Sequence, residues 1–195
     1  MQHFNEQVIL GSLLGDGYVY KDKRYEGYVY CERHSLKQKD YLLWKNKYLN
    51  FIFKEYPQFN LCIVRKENKK FKYYRNLFYP QGNKIVTRGI LNKLKPLSVA
   101  IWYMDDGDYC YRHNNIRLAT HTFGLKGNYI INQWFEKKLN ILSKIRRVYD
   151  KRWKKEYFYL EFNRDNSEKF IKIIKKYIPN SMFYKLGLDN QRKEK

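Results

Sequence analysis

The chain has 195 residues and a formal net charge of +21, from 40 Lys and Arg against 19 Asp and Glu. Hydrophobic residues form 44% of it, which excludes a disordered basic tail and allows one compact domain or two small halves on a shared core. Because no run of about 18 apolar residues occurs, the charge favours nucleic acid over a membrane as the polyanionic partner. An AT-rich coding sequence would also raise the lysine content, so part of this excess need have no function.

The first predicted element is a helix over residues 7–15, in the stretch Ile9-Leu10-Gly11-Ser12-Leu13-Leu14-Gly15-Asp16-Gly17. This helix is apolar on nearly every side, so we expect it to be buried. Tyrosines then alternate with other residues on both sides of the charged turn 21–27, a pattern that predicts a β-hairpin. We expect Val19 and Val29 on one face of the hairpin, and aromatic and polar residues facing a partner on the other.

The remainder of the first half is predicted as a helix, a second hairpin and a shorter helix. Apolar residues at helical spacing indicate a helix over residues 37–53, and Pro57 ends that region. The second hairpin pairs residues 61–65 with residues 70–78. The shorter helix covers residues 87–94 and ends before Pro96.

The same order of elements then repeats from a second apolar stretch, Val99-Ala100-Ile101-Trp102-Tyr103-Met104-Asp105-Asp106-Gly107. The predicted elements of this half are a core helix at 97–105, a hairpin at 108–112 and 116–120, a helix at 126–142, a hairpin at 145–152 and 156–162, and a helix at 166–177. Such self-similarity indicates two related structural units. No Gly/Ser-rich linker separates them, so we predict an N-terminal half, 1–95, and a C-terminal half, 96–195, fused as one compact unit.

Asp16 and Asp106 end the two apolar stretches and lie close to half the chain apart. If the two buried helices pack against each other, these carboxylates emerge side by side at the helix C-termini. The carbonyl end of a helix disfavours an anion, and two neighbouring carboxylates repel each other. A divalent cation would relieve both effects, and oxygen ligands of this kind suit Mg²⁺. Helix capping by a solvated Asp is the alternative explanation of each acid.

The predicted hairpins are rich in basic, aromatic and amide side chains. A two-stranded ribbon fits the major groove of a DNA duplex, where lysines and arginines contact phosphates and a subset of side chains contacts bases. A solvated charged face is the alternative for any one of these residues. The candidate DNA-binding residues are Tyr18, Tyr20, Lys21, Arg24, Tyr28, Tyr30, Glu32, His34, Lys70, Lys72, Tyr74, Arg75, Arg112, Asn115, Arg117, His121, Arg147, Lys151, Arg152 and Lys154.

The two stretches, with Gly11 at the third position and acid-Gly pairs at Asp16-Gly17 and Asp106-Gly107, resemble the LAGLIDADG motif. Residues 97–107 are similar to the second motif of single-chain, two-motif homing endonucleases. Residues 35–42, 83–86, 94–97 and 179–186 also resemble segments of that branch, so the resemblance covers about residues 7–187. The sequence departs from the motif at Gly15, where the seventh position is not acidic, and at the aromatic pair Trp102-Tyr103.

This resemblance implies an α+β fold of two pseudo-symmetric αββαββα halves around two packed central helices, with antiparallel sheets forming a DNA-binding saddle. It also implies a monomeric, Mg²⁺-dependent endonuclease, with Mn²⁺ able to substitute, that cuts both strands of a long DNA site. Asp16 and Asp106 match the metal-binding catalytic acids, with Gly15 and Asp105 beside them in the metal site. Lys84 and Lys185 match basic residues that organise water or phosphate near the metals.

Two other classes of function remain open from the sequence. Relatives of this fold serve as RNA maturases in intron splicing, and an RNA-assembly factor would carry a similar charge, since DNA and RNA both offer phosphates. Retention of both acids favours cleavage, and intron RNA stays a possible second partner. Cys31, Cys62 and Cys110 are odd in number and far apart, which indicates a reducing intracellular compartment: an organelle, or a bacterial or phage-infected cytoplasm.

Overall fold

The computed structural model describes residues 2–24, 26–152 and 154–187. The basic tail, residues 188–195, lies outside the described residues. The first half comprises α1 (Gln2–Leu14), β1 (Tyr18–Lys21), β2 (Tyr28–Ser35), α2 (Lys39–Leu49), β3 (Ile52–Tyr56), β4 (Leu61–Asn68), α3 (Phe71–Phe78) and the short α4 (Arg88–Leu91). The second half comprises α5 (Pro96–Asp106), β5 (Gly107–Cys110), β6 (Asn115–Leu118), α6 (Gly124–Leu139), β7 (Lys144–Asp150), β8 (Lys155–Glu161) and α7 (Arg164–Ile174).

Both halves contain a four-stranded antiparallel sheet with the same strand order. The first sheet runs β1-β2-β4-β3, and the second runs β5-β6-β8-β7. Each half therefore follows the order αββαββα, with α4 as an addition to the first. The predicted α+β fold with two similar halves is confirmed. Among the described residues, no helix has the length and apolarity needed to cross a membrane.

The central helices α1 and α5 cross in direct contact. A Cβ atom added at Gly11 would lie 2.5 Å from the carbonyl oxygen of Ser98 and 2.9 Å from the Cβ of Ile101. Neither atom can move freely, because the Ser98 oxygen is part of the backbone and the Ile101 Cβ is attached directly to it. Glycine at position 11 therefore sets how closely the two helices approach.

We expect Gly11→Ala to lower the free energy of unfolding by about 1–3 kcal/mol, because the added methyl group overpacks the helix crossing. Urea denaturation followed by circular dichroism measures this loss. Gly89→Ala is the matched control, since a Cβ there meets only the Thr87 hydroxyl, at 3.6 Å. Equal stability of the Gly11→Ala protein and the wild type would contradict the close approach of α1 and α5.

Hydrogen bonds of the Gln7 side chain connect α1 to the N-terminal end of α5. The Gln7 amide nitrogen donates to the Lys93 carbonyl at 3.1 Å, and the Lys95 backbone N–H donates to the Gln7 side-chain oxygen at 2.8 Å. The Ser98 hydroxyl contacts the same oxygen. These bonds satisfy polar groups at the start of α5 and hold the chain that enters it against α1.

One continuous hydrophobic core includes residues from both halves. Leu10 and Leu13 of α1 are fully buried, as are Ile101 and Trp102 of α5. The same cluster extends to Phe135 and to other apolar residues of α6, α7 and both sheets. Such a shared core explains why neither central helix has a polar face.

The predicted second hairpin is wrong in position. Strands β3 and β4 pair from Ile52↔Arg65 to Tyr56↔Leu61, and Asn60, in the left-handed region with φ 49°, closes the turn. Residues 71–78 instead form helix α3, because Phe71 and Phe78 lie two turns apart and are both buried. The spacing of these two buried residues is that of a helix and not of a strand. Consequently Lys70, Lys72, Tyr74 and Arg75 lie on or beside a helix and do not belong to the sheet.

The side chains of the first hairpin also face differently from the prediction. Val19 pairs with Tyr30, and Val29 pairs with Tyr20, so the two valines lie on opposite faces of the sheet. The face that carries Val19 and Tyr30 packs on the core. Each sheet's other face, turned away from the core helices, is called the outer face below.

Candidate functional site

The two predicted catalytic acids lie where the central helices end. Asp106 is the last residue of α5, whereas α1 ends at Leu14 and Asp16 follows two residues later. The Asp16 side chain is 40% exposed, while Asp106 is half-buried. Burial, together with the negative charges of Asp105 and Asp16, raises the pKa of Asp106 to about 8. Packing α1 against α5 has therefore gathered carboxylates that repel one another.

Two lysines each donate hydrogen bonds to backbone carbonyls at the C-terminal end of one central helix. Lys84 Nζ donates to the carbonyls of Gly15 at 2.8 Å and Gly17 at 3.1 Å. Lys185 Nζ donates to the carbonyls of Met104 at 2.5 Å and Asp105 at 3.2 Å. Burial lowers the pKa of both lysines, and the nearby aspartates oppose that shift. Each lysine thus satisfies carbonyls at a helix end and places a cation near the group of aspartates.

A hydrogen bond and apolar contacts hold the segment that carries Lys185 against α5 and the core. The Tyr103 hydroxyl donates to the Lys185 carbonyl at 2.6 Å, and the short 3₁₀ segment Asn180–Leu186 places Met182 and Leu186 in the core. Lys84 belongs to an irregular segment whose Ile85 backbone N–H donates to the Phe78 carbonyl at 2.8 Å. Both lysines predicted from the sequence are therefore brought to the acids, from different chain segments.

Asp105 differs from its neighbour because its side chain is fully buried. Its Oδ1 accepts from Lys45 Nζ at 2.9 Å and from the Tyr41 hydroxyl at 2.6 Å. Its Oδ2 accepts from the Asp16 backbone N–H at 3.3 Å. A Cβ atom at Gly15 would lie 2.5 Å from the Asp105 Cβ, so only glycine at the motif's seventh position in the first half leaves room for this side chain.

Asp105 belongs to a buried polar cluster formed by Ser12, Tyr30, Glu32, His34, Tyr41, Lys45 and Asp105. Lys45 contacts Glu32, whose other oxygen accepts from the Tyr30 hydroxyl at 2.7 Å. His34 Nε2 lies 2.7 Å from Glu32 Oε1. Burial alone would raise the pKa of Glu32, but Lys45 and His34 hold it well below its usual range. The carboxylates in turn raise the pKa of Lys45, against the effect of burial.

The prediction that Tyr30, Glu32 and His34 contact DNA is therefore corrected. Tyr30 and Glu32 are fully buried and His34 is 4% exposed, because all three point from β2 toward the core. His34 nevertheless lies close to the acids, with Nδ1 3.7 Å from Asp16 Oδ2. Burial lowers the pKa of His34, but the bond to Glu32 and the charges of Glu32 and Asp105 together raise it above its usual value.

The donor atoms at this site suit a divalent cation. Asp16, His34 and Asp105 each offer one ligand atom, and these atoms lie within 4.8 Å of one another. Carboxylate oxygens match Mg²⁺ or Mn²⁺. Burial and then the charges of Asp105 and Asp16 raise the pKa of Asp106, and a bound cation would oppose both effects. The two oxygens of Asp105 already accept three hydrogen bonds, so Asp16 and Asp106 are the acids whose geometry leaves them available.

The outer face of the first sheet presents basic and aromatic side chains around a concavity. Its lining includes Tyr20, Arg33, Lys54, Tyr56, Arg65 and Glu67. Tyr20 was predicted for this surface, and Tyr18 stacks on it with ring centroids 5.5 Å apart. In the adjoining turn, Lys21 donates to the carbonyls of Glu26 and Gly27, and its Nζ lies 5.6 Å from the ring centroid of the half-buried Tyr28. Arg24 forms an ion pair with Asp22 at 2.8 Å.

The second sheet has a corresponding outer surface. Its lining includes Asp108, Arg117, His121, Val148, Tyr157 and Tyr159. Arg117 pairs with Asp108 at 2.6 Å, and His121 Nδ1 lies 2.9 Å from the Phe158 carbonyl oxygen. Arg112 is exposed in the β5–β6 turn, and Lys151, Arg152 and Lys154 are exposed in the β7–β8 turn, whereas Asn115 is 8% exposed.

Arg147, which was predicted to contact DNA, lies on the face of β7 opposite to the outer face. The strand register pairs Arg147 with Phe158, whereas Arg146 pairs with Tyr159 of the outer face. Arg146 forms an ion pair with Glu161 at 2.7 Å, and Arg147 forms one with Glu156 at 3.2 Å. The adjacent arginine is therefore the one that the fold presents beside Arg117.

The sequence of residues 6–170 matches the model of the LAGLIDADG DNA endonuclease family. The chain belongs to this family. An intron-encoded endonuclease, ai4, from Dictyostelium discoideum is 33% identical over 122 residues, which is 62% of this chain and 72% of that protein. The cytochrome b mRNA maturase bI2 of Saccharomyces cerevisiae is 27% identical over 201 residues, covering 92% of this chain and 46% of the maturase.

The other similarities cover a small part of the relative or concern the fold alone. A RecA protein of Mycolicibacterium chitae is 32% identical over 128 residues, but the match covers 58% of this chain and only 28% of that protein. The homing endonuclease I-WcaI bound to its DNA recognition sequence has a similar fold, with a TM-score of 0.79 at 21% identity over 94% of this chain and 86% of that one. I-DmoI in complex with DNA and Ca is also similar, with a TM-score of 0.57 at 17% identity, covering 88% and 89%.

Sequence analysis missed several residues around this LAGLIDADG site. Arg33, Lys54, Arg65 and Arg146 lie on the outer faces of the sheets, and Lys45 lies beneath the acids. The short run Ile52 to Tyr56, in which three of five residues are β-branched or aromatic and which is bounded by Asn50 and Pro57, was the available signal for β3. Lys45 offered no such signal, because a lysine in an amphipathic helix is usually exposed.

Proposed function

We propose that the chain is a site-specific homing endonuclease of the single-chain, two-motif kind. It makes a double-strand break in a long DNA target by Mg²⁺-dependent hydrolysis of phosphodiester bonds, with Mn²⁺ able to substitute. It acts as a monomer, with residues 1–95 and 96–195 as its two halves. The supporting observation is that Asp16 and Asp106 lie at the ends of two crossing helices, with Lys84 and Lys185 bonded to the backbone carbonyls of those ends.

In this proposal Asp16 and Asp106 hold the cation, with the Gly15 carbonyl and Asp105 adjoining them. The bound ion supplies Lewis-acid chemistry: it polarises the phosphate and lowers the pKa of an attacking water. Lys84 and Lys185 orient water or phosphate, since each has an ammonium group beside an acid. The buried His34 has partners in Glu32 and Gln38, which argues against its use as a general base.

The outer faces of both sheets bind the duplex on either side of the acids. Side chains on these faces include arginine, lysine and tyrosine, which can contact phosphates and base edges. The net charge of +21 supports binding to a polyanion of this size. Similarity to intron-encoded relatives supports an intron-encoded origin, and the mRNA maturase relatives favour an organelle over a bacterial or phage-infected cytoplasm.

The raised pKa of Asp106 predicts how the metal requirement depends on pH. Below about pH 8 this carboxyl is mostly protonated in the metal-free protein, so a cation must displace the proton. We expect the Mg²⁺ concentration for half-maximal cleavage to rise up to about tenfold for each unit that pH falls from about 8 to 6. Titrating Mg²⁺ at each pH measures this dependence, and a Mg²⁺ requirement that does not change with pH would contradict it.

Adjacent arginines of β7 test which sheet face binds DNA. We expect Arg146→Ala to weaken binding about tenfold and to reduce the dependence of log Kd on log salt concentration by about one unit. Arg147→Ala is the matched control, because this neighbour is also ion-paired but lies on the opposite face. Fluorescence anisotropy in Ca²⁺ measures both effects. A larger loss from Arg147→Ala would reverse our assignment of the DNA-binding face.

Cleavage selection on a randomised duplex library tests the proposed function. Binders are captured in Ca²⁺, Mg²⁺ is added, and the released ends are sequenced, with the Asp16→Asn/Asp106→Asn double variant alongside. We expect one long site, cut on both strands by the wild type and not by the variant. Binding with no enriched site and no cutting would overturn the endonuclease proposal.

An RNA-binding intron maturase or RNA-assembly factor is the second candidate. It is favoured by the bI2 maturases, whose similarity extends over 92% of this chain for the yeast protein and 93% for that of Debaryomyces hansenii. This function predicts tight binding to the host intron RNA that is unaffected by Asp16→Asn and Asp106→Asn. Splicing of that intron with purified protein distinguishes it from DNA cleavage, and both activities in one protein are compatible.

A further inference from the structure

The buried polar cluster contains two charged residues of the first half, Glu32 and Lys45, whose counterparts in the second half are apolar. Asp16 and Asp106 are equivalent, so Val19↔Tyr30 corresponds to Tyr109↔Ile116, and Glu32 corresponds to Leu118. Helices α2 and α6 both end at a left-handed Asn, Asn50 and Asn140. Counting back from these caps, Lys45 corresponds to Phe135. Leu118 and Phe135 are both fully buried hydrophobic residues, so the two halves differ in chemistry beneath equivalent acids.

The backbone also differs at the two acids. Asp106 remains within α5, and the following Gly107 N–H donates to the Tyr103 carbonyl, as in a continuing helix. At the end of α1, the Gly17 N–H donates to the Ser12 carbonyl at 2.7 Å, one residue beyond helical spacing. The Asp16 N–H, which a continuing helix would direct at Ser12, instead donates to Asp105 Oδ2 at 3.3 Å. A side chain from the other half thus holds the backbone of Asp16.

Asp105 is suited to this contact only as a carboxylate. Its Oδ1 accepts from Lys45 and Tyr41, and its Oδ2 accepts from Asp16. An asparagine has one acceptor oxygen and one NH₂ donor, so whichever way its amide is turned, two donors would meet. The cluster therefore selects the charged side chain, and Gly15 supplies the space that it occupies.

We propose that Asp105, oriented by Lys45 and Tyr41, is a positioning residue that fixes Asp16, so that the two acids are set by different means and the two half-sites are unequal. Asp16 depends on a buried cluster that spans both halves, whereas Asp106 depends on its own helix. The proposal rests on the endonuclease function in one respect: loss of the cluster slows cutting of one DNA strand more than the other.

The first test needs neither metal nor DNA. Amide hydrogen exchange by NMR on the metal-free protein reports the Asp16 N–H directly. We expect Asp105→Asn to accelerate exchange of the Asp16 amide about tenfold or more, while amides in the interior of α5 keep their protection. An unchanged exchange rate of the Asp16 amide would overturn the proposal that Asp105 holds the Asp16 backbone.

The second test separates positioning from stability. Wild type and variants act on a duplex labelled on each strand, and the rate of each cut is measured at saturating Mg²⁺. We expect Asp105→Asn to change the ratio of the two strand rates about tenfold or more. The triple variant Glu32→Gln/Lys45→Met/Asp105→Asn removes all three charges together, so we expect it to regain thermal stability while the altered ratio persists.

Asn166→Ala is the matched control for disturbing a buried polar group. Asn166 belongs to α7, where its side-chain oxygen accepts from the Leu142 backbone N–H and its NH₂ donates to the Asn163 side-chain oxygen. We expect it to lower the Tm without changing the strand ratio. A wild-type ratio in both Asp105 variants would overturn the proposal. If the wild type cuts no DNA, the proposed function fails, and the hydrogen-exchange experiment still decides whether Asp105 fixes Asp16.

Discussion

Replacing either Asp16 or Asp106 by Asn is expected to reduce DNA cleavage by at least about 10³-fold, while binding in Ca²⁺ stays within a few-fold of the wild type. Each substitution keeps the side-chain shape and removes one of the two carboxylates at the ends of the crossing helices. Loss of charge weakens cation binding at the point where Asp16, Asp105 and Asp106 repel one another. Single-turnover cleavage of the selected target measures the effect.

The matched control for this experiment is Asp165→Asn. Asp165 is an exposed acid in the first turn of α7, outside the site, so its loss changes net charge equally without touching the helix crossing. We expect cleavage by this variant to stay near the wild-type rate. Full activity of either the Asp16 or the Asp106 variant would refute the assignment of that acid as a cation ligand. Loss of DNA binding by both would instead indicate that the acids matter for folding.

Lys45→Met is expected to lower the free energy of unfolding by about 3–5 kcal/mol, because it leaves two buried carboxylates without their counter-ion. Lys45, Glu32 and the Asp105 side chain are all fully buried, so water cannot compensate for the missing charge. Denaturant unfolding at neutral pH measures the loss. Because Glu32 and Asp105 can then be neutralised only by protonation, we also expect the deficit to shrink as pH falls.

Lys39→Met is the matched control for Lys45→Met. Lys39 also belongs to α2 and pairs with Glu55 at 2.8 Å, but its side chain is 39% exposed. An exposed pair contributes between about 0 and 1 kcal/mol, so the two lysine variants should differ severalfold in their effect. If Lys45→Met were as mild as Lys39→Met, the cluster would be open to water and its role beneath Asp16 would have to be abandoned.

The parts of this fold that could be predicted from sequence are those with a strong local signal. The apolar stretches around Gly11 and Ala100, each ending in Asp-Gly, identified the central helices and the repeat. From that repeat the meeting of Asp16 with Asp106 follows, because packed helices of equivalent halves bring equivalent ends together. Lys84 and Lys185 were located by resemblance, and the structure brings both to these helix ends.

The errors arose where a short pattern admits two interpretations. Residues 70–78 were predicted as a strand, but the spacing of the buried Phe71 and Phe78 is that of a helix. Tyr30, Glu32 and His34 were assigned to the outer face because polar residues are usually exposed. Their burial depends on Lys45, and that of Lys45 depends on Asp105, 60 residues away. No local pattern reveals such a partner, since only the folded helix crossing brings it near.

Because Asp105 packs directly against Gly15, neither half of the chain can be replaced by a copy of the other. An assembly of two first halves would carry Lys45 and Glu32 twice and lack the aspartate that joins them to the acid. An assembly of two second halves would place a second aspartate at the position of Gly15, where even an added Cβ would lie 2.5 Å from the Asp105 Cβ. Chimeras that exchange one half for that of a relative should therefore transfer residues 15, 32, 45 and 105 as a unit.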